Sequence, residues 1–487
     1  VSTNGEKFDA VVVGAGIAGL TAAARLGLAG RRVLVVERHN VAGGCASFYQ
    51  RDGYRFDVGA TLVGGFGVRG VHRRFFGELG VELPARRLEP AMVVHLNGTR
   101  VERWGDERWP AERVRAFGPA AEDFWSAQEH WADLAWDFSS RFPALPADVP
   151  SVLGLLGALR PGHLELARGL GRTLGSLLPP GSRALRDFVD LQLLITSQAD
   201  ADGTDLAYGA TALDLAREGC FHLPEGVAAI PLALARAVRR LGSRIAYRAA
   251  VTRIEVRRGA VFGVRLADGR EIRAERVIAA LPVQNLTALC PEVGAAFRER
   301  VAALPQRWGA FMLYVGLPPG VVPDDLPLHH QTVADSGRPL GEGNSAFLSF
   351  SAPGETARAR NEGRAVTLST HTEVARWERA LRDGSEPRLR AGYRERLFAA
   401  LERIVPGARS RAEVAETATP ATFARYTGRF RGLVGGLPAS PELASLGAFS
   451  HRTSVGGLYL CGDTAFPGQS TVGATLSGNA AGRAAAW

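Results

Sequence analysis

The sequence predicts an α/β protein in which one doubly wound domain is assembled from separated pieces of chain, with further chain inserted between them. Three observations carry this. Residues 9–38 read as strand, glycine turn, helix, strand and acid. Near the other end, an apolar run closes in Gly462-Asp463 and is followed by a helix of small residues. Between the two, residues 226–280 hold one helical segment and a series of strand-like runs.

The first piece is the most informative. Ala10 to Val13 is short, apolar and rich in β-branched residues, which marks a buried strand. It ends in Gly14-Ala15-Gly16-Ile17-Ala18-Gly19. Gly14 permits the tight turn, Gly16 lets backbone approach a pyrophosphate, and Gly19 lets the helix pack on the sheet. The helix N-terminus offers free N–H groups and a positive dipole end to phosphates. A second strand, Val33 to Val36, ends in Glu37, where a carboxylate can accept hydrogen bonds from a ribose diol. A lone GxGxxG is weak, but here strand, helix, second strand and acid all stand at the right spacing. The expectation is a dinucleotide site, and this stretch alone does not choose FAD over NAD.

After Glu37 come Arg38 and the block Gly43-Gly44-Cys45-Ala46, then Gly53 to Thr61, a strand-like run that closes in Gly59-Ala60-Thr61. The glycine pair implies a second close approach of backbone to ligand. In the middle piece, Gly226 to Arg236 reads as a helix. Strand-like runs follow at Ile245 to Tyr247, Ala250 to Val256, Ala260 to Leu266 and Arg276 to Ala280, with Asp268-Gly269 as a hairpin signal. The last piece runs Gly457 to Asp463 as a strand, and its helix begins at Thr471-Val472.

Composition narrows the function. At 487 residues and 46% apolar, the chain can bury a large core in more than one domain. No run approaches the ~20 apolar residues of a membrane span; the best candidate, Val152 to Leu159, is short and stops at Arg160-Pro161. The stretch VSTNGEKFD is polar and lacks a signal-peptide core, so a cytoplasmic protein is expected. Cys45, Cys220, Cys290 and Cys461 are scattered and read as free thiols, and no metal site is expected. The net charge is +9, and Lys7 is the only lysine. The arginines are spread evenly with no basic stripe among aromatics, which argues against nucleic acid. A GC-rich genome and a basic skin for anionic lipid both account for the excess.

The inserted chain has two parts. Residues 96–220 are helical in flavour, with Trp104, Trp109, Phe124, Trp125, Trp131, Trp136 and Phe138 at spacings that suit a core. An apolar tunnel lining is the alternative. Val152 to Leu178 reads as an interfacial amphipathic element, or as a buried helix pair. Residues 286–429 mix strands (Ala310 to Val315, Ala346 to Ser351, Ala365 to Thr372) with a helix near Arg388 to Ile404.

The chain resembles the FAD-dependent carotenoid desaturase and isomerase flavoproteins over essentially its full length, and within them the carotenoid 3,4-desaturases (C-3′,4′ desaturases). The stretches that carry this are GGCASFYQRDGYRFDVGAT from Gly43, GVHRRFFGELGVELP from Gly70, LRDFVDLQLLITSQ from Leu185, YGATAL from Tyr208, FHLPEGVAAIPLALARAV from Phe221, LPVQNL from Leu281 and GDTAFPGQSTVGATLSG from Gly462. The related amine oxidases usually carry arginine after the glycine pair, where this chain has Cys45. The resemblance implies a Rossmann-type FAD-binding domain assembled from three segments, 1–95, 221–285 and 430–487. It implies an inserted α+β substrate domain of 96–220 and 286–429. FAD would be held noncovalently by Gly14, Ala15, Gly16, Ile17, Ala18, Gly19, Glu37, Arg38, Gly43, Gly44, Cys45, Ala46, Gly59, Ala60 and Thr61. Val251 at the adenine end, Gly462, Asp463, Thr471 and Val472 complete the set.

The chemistry implied is desaturation of a C–C bond in a C40 carotenoid, with a hydride passing to flavin N5 and a proton lost from the neighbouring carbon. No strong base need be present, because the polyene delocalises positive charge. Catalytic residues are therefore unknown from sequence, and His222 is the one candidate. The electron acceptor that reoxidises FAD is equally unknown. The substrate implies peripheral docking on the inner face of the membrane. Three alternatives stand: a redox-neutral cis–trans isomerase, an amine oxidase, and a flavin-free lipid carrier like the Rab escort and GDP-dissociation-inhibitor proteins.

Overall fold

Two sheets organise the chain. The computed structural model describes residues 8–96, 98–141, 152, 153, 156, 157, 159–444 and 447–486. The first sheet has five parallel strands in the order Leu458–Leu460, Val277–Ala279, Ala10–Val13, Val33–Val36, Arg244–Ala246. Its three central strands read VIA, AVVV and VLVV and are buried throughout, as parallel strands covered on both faces require.

On one face lie the first helix (Ile17–Leu28), the helix Ala229–Arg240 and the last helix (Ser470–Ala486). The first and last helices touch nearly backbone to backbone. A Cβ at Gly478 would stand 2.1 Å from the Ala18 carbonyl oxygen, and one at Gly482 would stand 2.9 Å from that of Ala22. The Nε of Arg25 donates to Asn479 Oδ1 at 2.6 Å across the same contact. On the other face an antiparallel sheet, Val251–Arg257, Ala260–Leu266 and Glu271–Arg273, packs with helices Val283–Leu289 and Ala295–Ala302. The turn at Asp268-Gly269 joins two of these strands, with Gly269 at φ +85°.

The second sheet has seven strands in the order Val414–Ala418, Trp308–Leu317, Arg364–Glu373, Ser345–Phe350, His329–Val333, Met92–Leu96, Thr99–Arg103. All neighbours are antiparallel except His329–Val333 with Met92–Leu96. Helices Val374–Asp383 and Glu386–Ile404 cover one face. Helices of residues 109–141 and 183–213 build a separate core beside the strands Met92–Leu96 and Thr99–Arg103. There Trp109, Phe124, Trp125 and Trp131 are buried, and the Trp109 and Trp125 rings meet edge to face at 5.1 Å. The aromatics at helical spacing are core.

The expected strands at 310–315 and 365–372 lie in longer strands of this sheet, and the one expected at 346–351 is Ser345–Phe350, shifted by one residue. Two placements differ from expectation. Met92–Leu96 joins the second sheet, so the boundary drawn at residue 95 falls inside a strand. Residues 283–304 pack into the core of the first sheet, beyond the boundary drawn at 285. Within Val152 to Leu178, residues 154, 155 and 158 lie outside the described residues. Val152, Leu153, Leu156, Leu164 and Leu170 are all exposed, which is not the pattern of a buried helix pair.

One strand carries no apolar run to announce it. His329–Val333 reads HHQTV, and every residue of it is buried. Burial drives both imidazoles down, His329 and His330 each to about 3, against about 6.5 in an unfolded chain. Between those values the unfolded chain binds more protons than the native one, so stability rises with pH there. We expect the unfolding free energy to hold above about pH 6.5 and to fall as pH drops below it. His330→Gln should flatten that fall in a series of denaturant titrations.

Candidate functional site

The glycines of the first turn divide into two kinds. Gly14 sits at φ +105° and its N–H donates to the Val36 carbonyl at 2.8 Å. A Cβ at Gly19 would stand 2.1 Å from the Gly14 oxygen. These two serve packing. A Cβ at Gly16 would meet nothing within 4 Å; at Gly44 it would meet only the Gly16 Cα, at 3.9 Å; at Gly462 only the Leu281 oxygen, at 3.9 Å. These three face open space, which side chains would fill.

The two glycine motifs are stitched together. The Gly43 N–H donates to the Ala15 carbonyl at 2.9 Å, and Gly16 and Gly43 form a parallel bridge. The Glu37 carboxylate accepts from the Ala15 N–H and the His39 N–H, each at 2.8 Å. Each oxygen keeps a lone pair for another donor. Ile17 and Ala18 form the buried first turn of the helix. The Arg38 guanidinium donates to the Arg425 carbonyl, next to the groove rather than across it. Cys45 and Ala46 lie in a short 3-10 turn, Gly44–Ala46. Ala60 N–H donates to the Cys45 carbonyl at 3.1 Å, which lays Gly59, Ala60 and Thr61 along that turn. Val251 opens its strand just after Ala249, whose N–H donates to the Glu37 carbonyl at 2.8 Å.

The C-terminal piece closes the groove. Gly462 is at φ +130° and its N–H donates to Ser477 Oγ. Thr471 and Val472 stand in the first turn of the last helix, where backbone N–H groups lack partners within the helix. The fold therefore gathers the three sequence pieces at the C-terminal ends of the parallel strands, as the walls of a candidate groove.

Two residues of this region are not among those the sequence singles out. Arg429 pairs with Asp463 at 2.8 Å, and both are largely buried. It lines a cleft with Gln284, Gly436 and Thr464. Burial pushes the Cys45 thiol up, with Arg429 pulling against it. His72 is fully buried; its Nδ1 meets the Gly64 carbonyl at 2.9 Å and its Nε2 meets Thr475 Oγ1 at 3.1 Å. Burial lowers its pKa, which keeps it neutral. It clamps the loop after Thr61 to the first turns of the last helix. Only tertiary contact reveals either role.

His222 stands apart from the groove but shares a small cavity with Thr61. Its Nε2 is hydrogen bonded to Glu355 Oε1. Burial raises the Glu355 carboxyl, but the His222 bond and the Arg358 charge outweigh it and hold the pKa below the usual carboxylate range. Among the described residues, no group of three or more His, Cys, Asp or Glu could hold a metal. The four cysteines are free, with Cys220, Cys290 and Cys461 buried.

The comparisons agree with this geometry. A family model described as "Flavin containing amine oxidoreductase" matches residues 17–486. Prolycopene isomerase 1 of an Oncidium hybrid cultivar is 28% identical over 97% of this chain and 83% of its own. The hydroxyneurosporene desaturase of Cereibacter sphaeroides is 28% identical over 97% of this chain and 96% of its own. An oxidoreductase from Methanosarcina mazei shares the fold with a TM-score of 0.65 at 18% identity, over 96% of this chain and 98% of its own. The open glycines, the first turns of two helices and Glu37 fit FAD.

Gly16 and Gly19 should therefore separate under mutation. Gly16 is at φ −72°, ψ 175°, which any residue adopts. Gly16→Val should leave the unfolding free energy of the flavin-free protein within about 0.5 kcal/mol while abolishing bound flavin in the visible spectrum. Gly19→Val should destabilise the fold itself by about 1–3 kcal/mol or more, read by thermal unfolding of the same preparation.

Proposed function

The chain belongs to the flavin-containing amine oxidoreductase family, among its FAD-dependent carotenoid desaturase and isomerase members, and on that premise we propose that it is a carotenoid desaturase, acting at a C-3′,4′ bond. The observation that carries this is the end-to-end match to a hydroxyneurosporene desaturase, 96% of whose length is covered, combined with glycines left open at Gly16, Gly44 and Gly462. A flavin-free carrier would have no use for open glycines at three separate points.

When bound, FAD supplies the two-electron acceptor. The chain's residues do the rest. Gly16 and Gly44 leave room for the diphosphate, and the first turn of the first helix turns its N–H groups and dipole towards it. Glu37 would hold a ribose diol, with the Val251 segment beside it. Asp463, fixed by Arg429, would meet the ribityl chain. The first turn at Thr471 and Val472 would stabilise negative charge on the ring, and His72 holds that turn in place. The polyene next to the reacting carbon spreads positive charge, so the protein's task is orientation and proton handling more than strong base catalysis.

The substrate's home argues for peripheral membrane docking. Among the described residues no helix is long and apolar enough to cross a membrane. Val152, Leu153, Leu156, Leu164 and Leu170 are exposed, and the exposed Arg160, Arg168 and Arg172 lie among them. Apolar side chains flanked by arginine suit the interface of an anionic leaflet, which favours a cytoplasmic protein seated on the inner face of the membrane. A redox-neutral cis–trans isomerase is the second reading, favoured by the match to prolycopene isomerase 1.

Product mass separates the two readings. Anaerobic incubation with liposomes carrying an acyclic or 1′-hydroxylated carotenoid should bleach the flavin and yield a red-shifted product lighter by two hydrogens. An unchanged mass with altered retention would establish the isomerase. Leu153→Glu and Leu164→Glu should each weaken cosedimentation with anionic liposomes by about tenfold, from the loss of one buried leucine, without changing the flavin spectrum. Undiminished cosedimentation would remove this surface from the docking model.

A further inference from the structure

A chain of titratable and hydroxyl groups runs from the cofactor groove into the seven-stranded sheet. It starts at Thr61, next in sequence to Ala60, whose N–H donates to the Cys45 carbonyl at 3.1 Å. Ser349 Oγ donates to Thr61 Oγ1 at 2.8 Å. His329 Nδ1 meets the same Ser349 Oγ at 2.9 Å. The His329 ring then lines a small cavity together with Asp57, Thr61, His222, Ser349 and Arg358. Across the cavity, His222 Nε2 is hydrogen bonded to Glu355. The Glu355 side chain is 11% exposed, and its second oxygen accepts from the Ala352 N–H at 2.8 Å. A cavity with this many polar walls suits an ordered water.

We propose that Thr61, Ser349, His329, His222 and Glu355 form a proton-transfer line between the cofactor groove and the protein surface, completed by one water between the two histidines. It rests on the reading of the protein as a polyene-transforming flavoenzyme. Desaturation breaks two C–H bonds and forms one C=C bond; one hydrogen leaves as a hydride with both electrons of its bond, which bound FAD would accept, and the other carbon loses a bare proton. That proton enters at the Thr61 hydroxyl. Each hydroxyl accepts one proton and gives one. His329 takes a proton at Nδ1 and releases the one at Nε2 to the water. The water passes one to His222, where it is held between imidazole and the Glu355 carboxylate before reaching solvent. No electrons move along the line. Hydroxyl rotation and the imidazole tautomer set its direction, so the same groups return a proton if the reaction is an isomerisation.

The surroundings suit passage rather than storage at the inner end. Burial first, then the charges of His222, His330 and Arg358, hold His329 down to about 3, so it does not retain an added proton. Asp57 and Arg358, paired at 2.9 Å, face the same cavity as a mutually compensating pair. His330 and Arg364 are the other titratable neighbours, acting on His329 and Glu355 respectively. His222 and Glu355 are positioning and relay residues; neither lines the groove itself.

The test uses the FAD-loaded protein and three variants. Ser349→Ala should retain the flavin spectrum and melting temperature, lower carotenoid turnover on the order of 100-fold, and raise the solvent deuterium isotope effect. Ser349→Thr should restore both. Histidine nitrogen NMR without carotenoid gives a second readout: Glu355→Gln should move the ring shifts of both His222 and His329. Wild-type turnover and isotope effect in Ser349→Ala, or unmoved His329 ring shifts in Glu355→Gln, would overturn the line. Absence of any carotenoid product with intact His329–His222 coupling would instead sink the substrate reading and support the line.

Discussion

The close approach of the first and last helices is the constraint on which the structure depends. Ala18 and Gly478 meet with no room for a Cβ between them, and this contact brings the two ends of the chain to one face of one parallel sheet. The cofactor groove is the consequence. Gly16 belongs to one end, Gly462 to the other, and both follow strands of the same parallel sheet, a placement that holds only while the helices stay in register. A larger residue at Gly478 would push the halves apart before it touched any ligand.

Around that contact, the groove is held by buried polar pairs that contribute more to geometry than to net stability. Arg429 and Asp463 are taken out of water together, and such pairs repay little of their desolvation. What they secure is position: Asp463 can present its carboxylate to the groove at one angle. His72 plays the same part at the other wall, where it ties the loop carrying Gly64 to Thr475 in the last helix. Asp57 and Arg358 pin the strand Tyr54–Asp57 to the loop after Ser345–Phe350. All three pairings join residues remote in sequence, so each also fastens one segment of the fold to another.

The joint between the two sheets is where polarity concentrates. The strand His329–Val333 is buried yet holds two histidines, a glutamine and a threonine, and its neighbour Ser345–Phe350 brings Ser349 to Thr61. A polar strand in such a place costs stability at low pH and needs every group partnered. Its position between the groove and the His222–Glu355 pair gives that cost a functional counterpart.

The local sequence determined what local physics can determine. The strand Ala10–Val13, the turn at Gly14, the helix behind it and Glu37 follow from residue types at fixed spacing, as do the Gly43-Gly44 pair, the Asp268-Gly269 hairpin and the small-residue helix after Asp463. The aromatics at 109–131 were legible as core because their spacing matches a helix face. Tertiary structure alone decided the rest. Arg429 sits in no motif, and His72, though inside the stretch from Gly70, carries no local sign of its role, since the partners of both are brought near only by folding. The strand His329–Val333 has no alternation to read because its burial comes from neighbours on both sides. Which glycines face ligand and which face backbone could not be read from the letter G, because that depends on what the fold places opposite each missing Cβ.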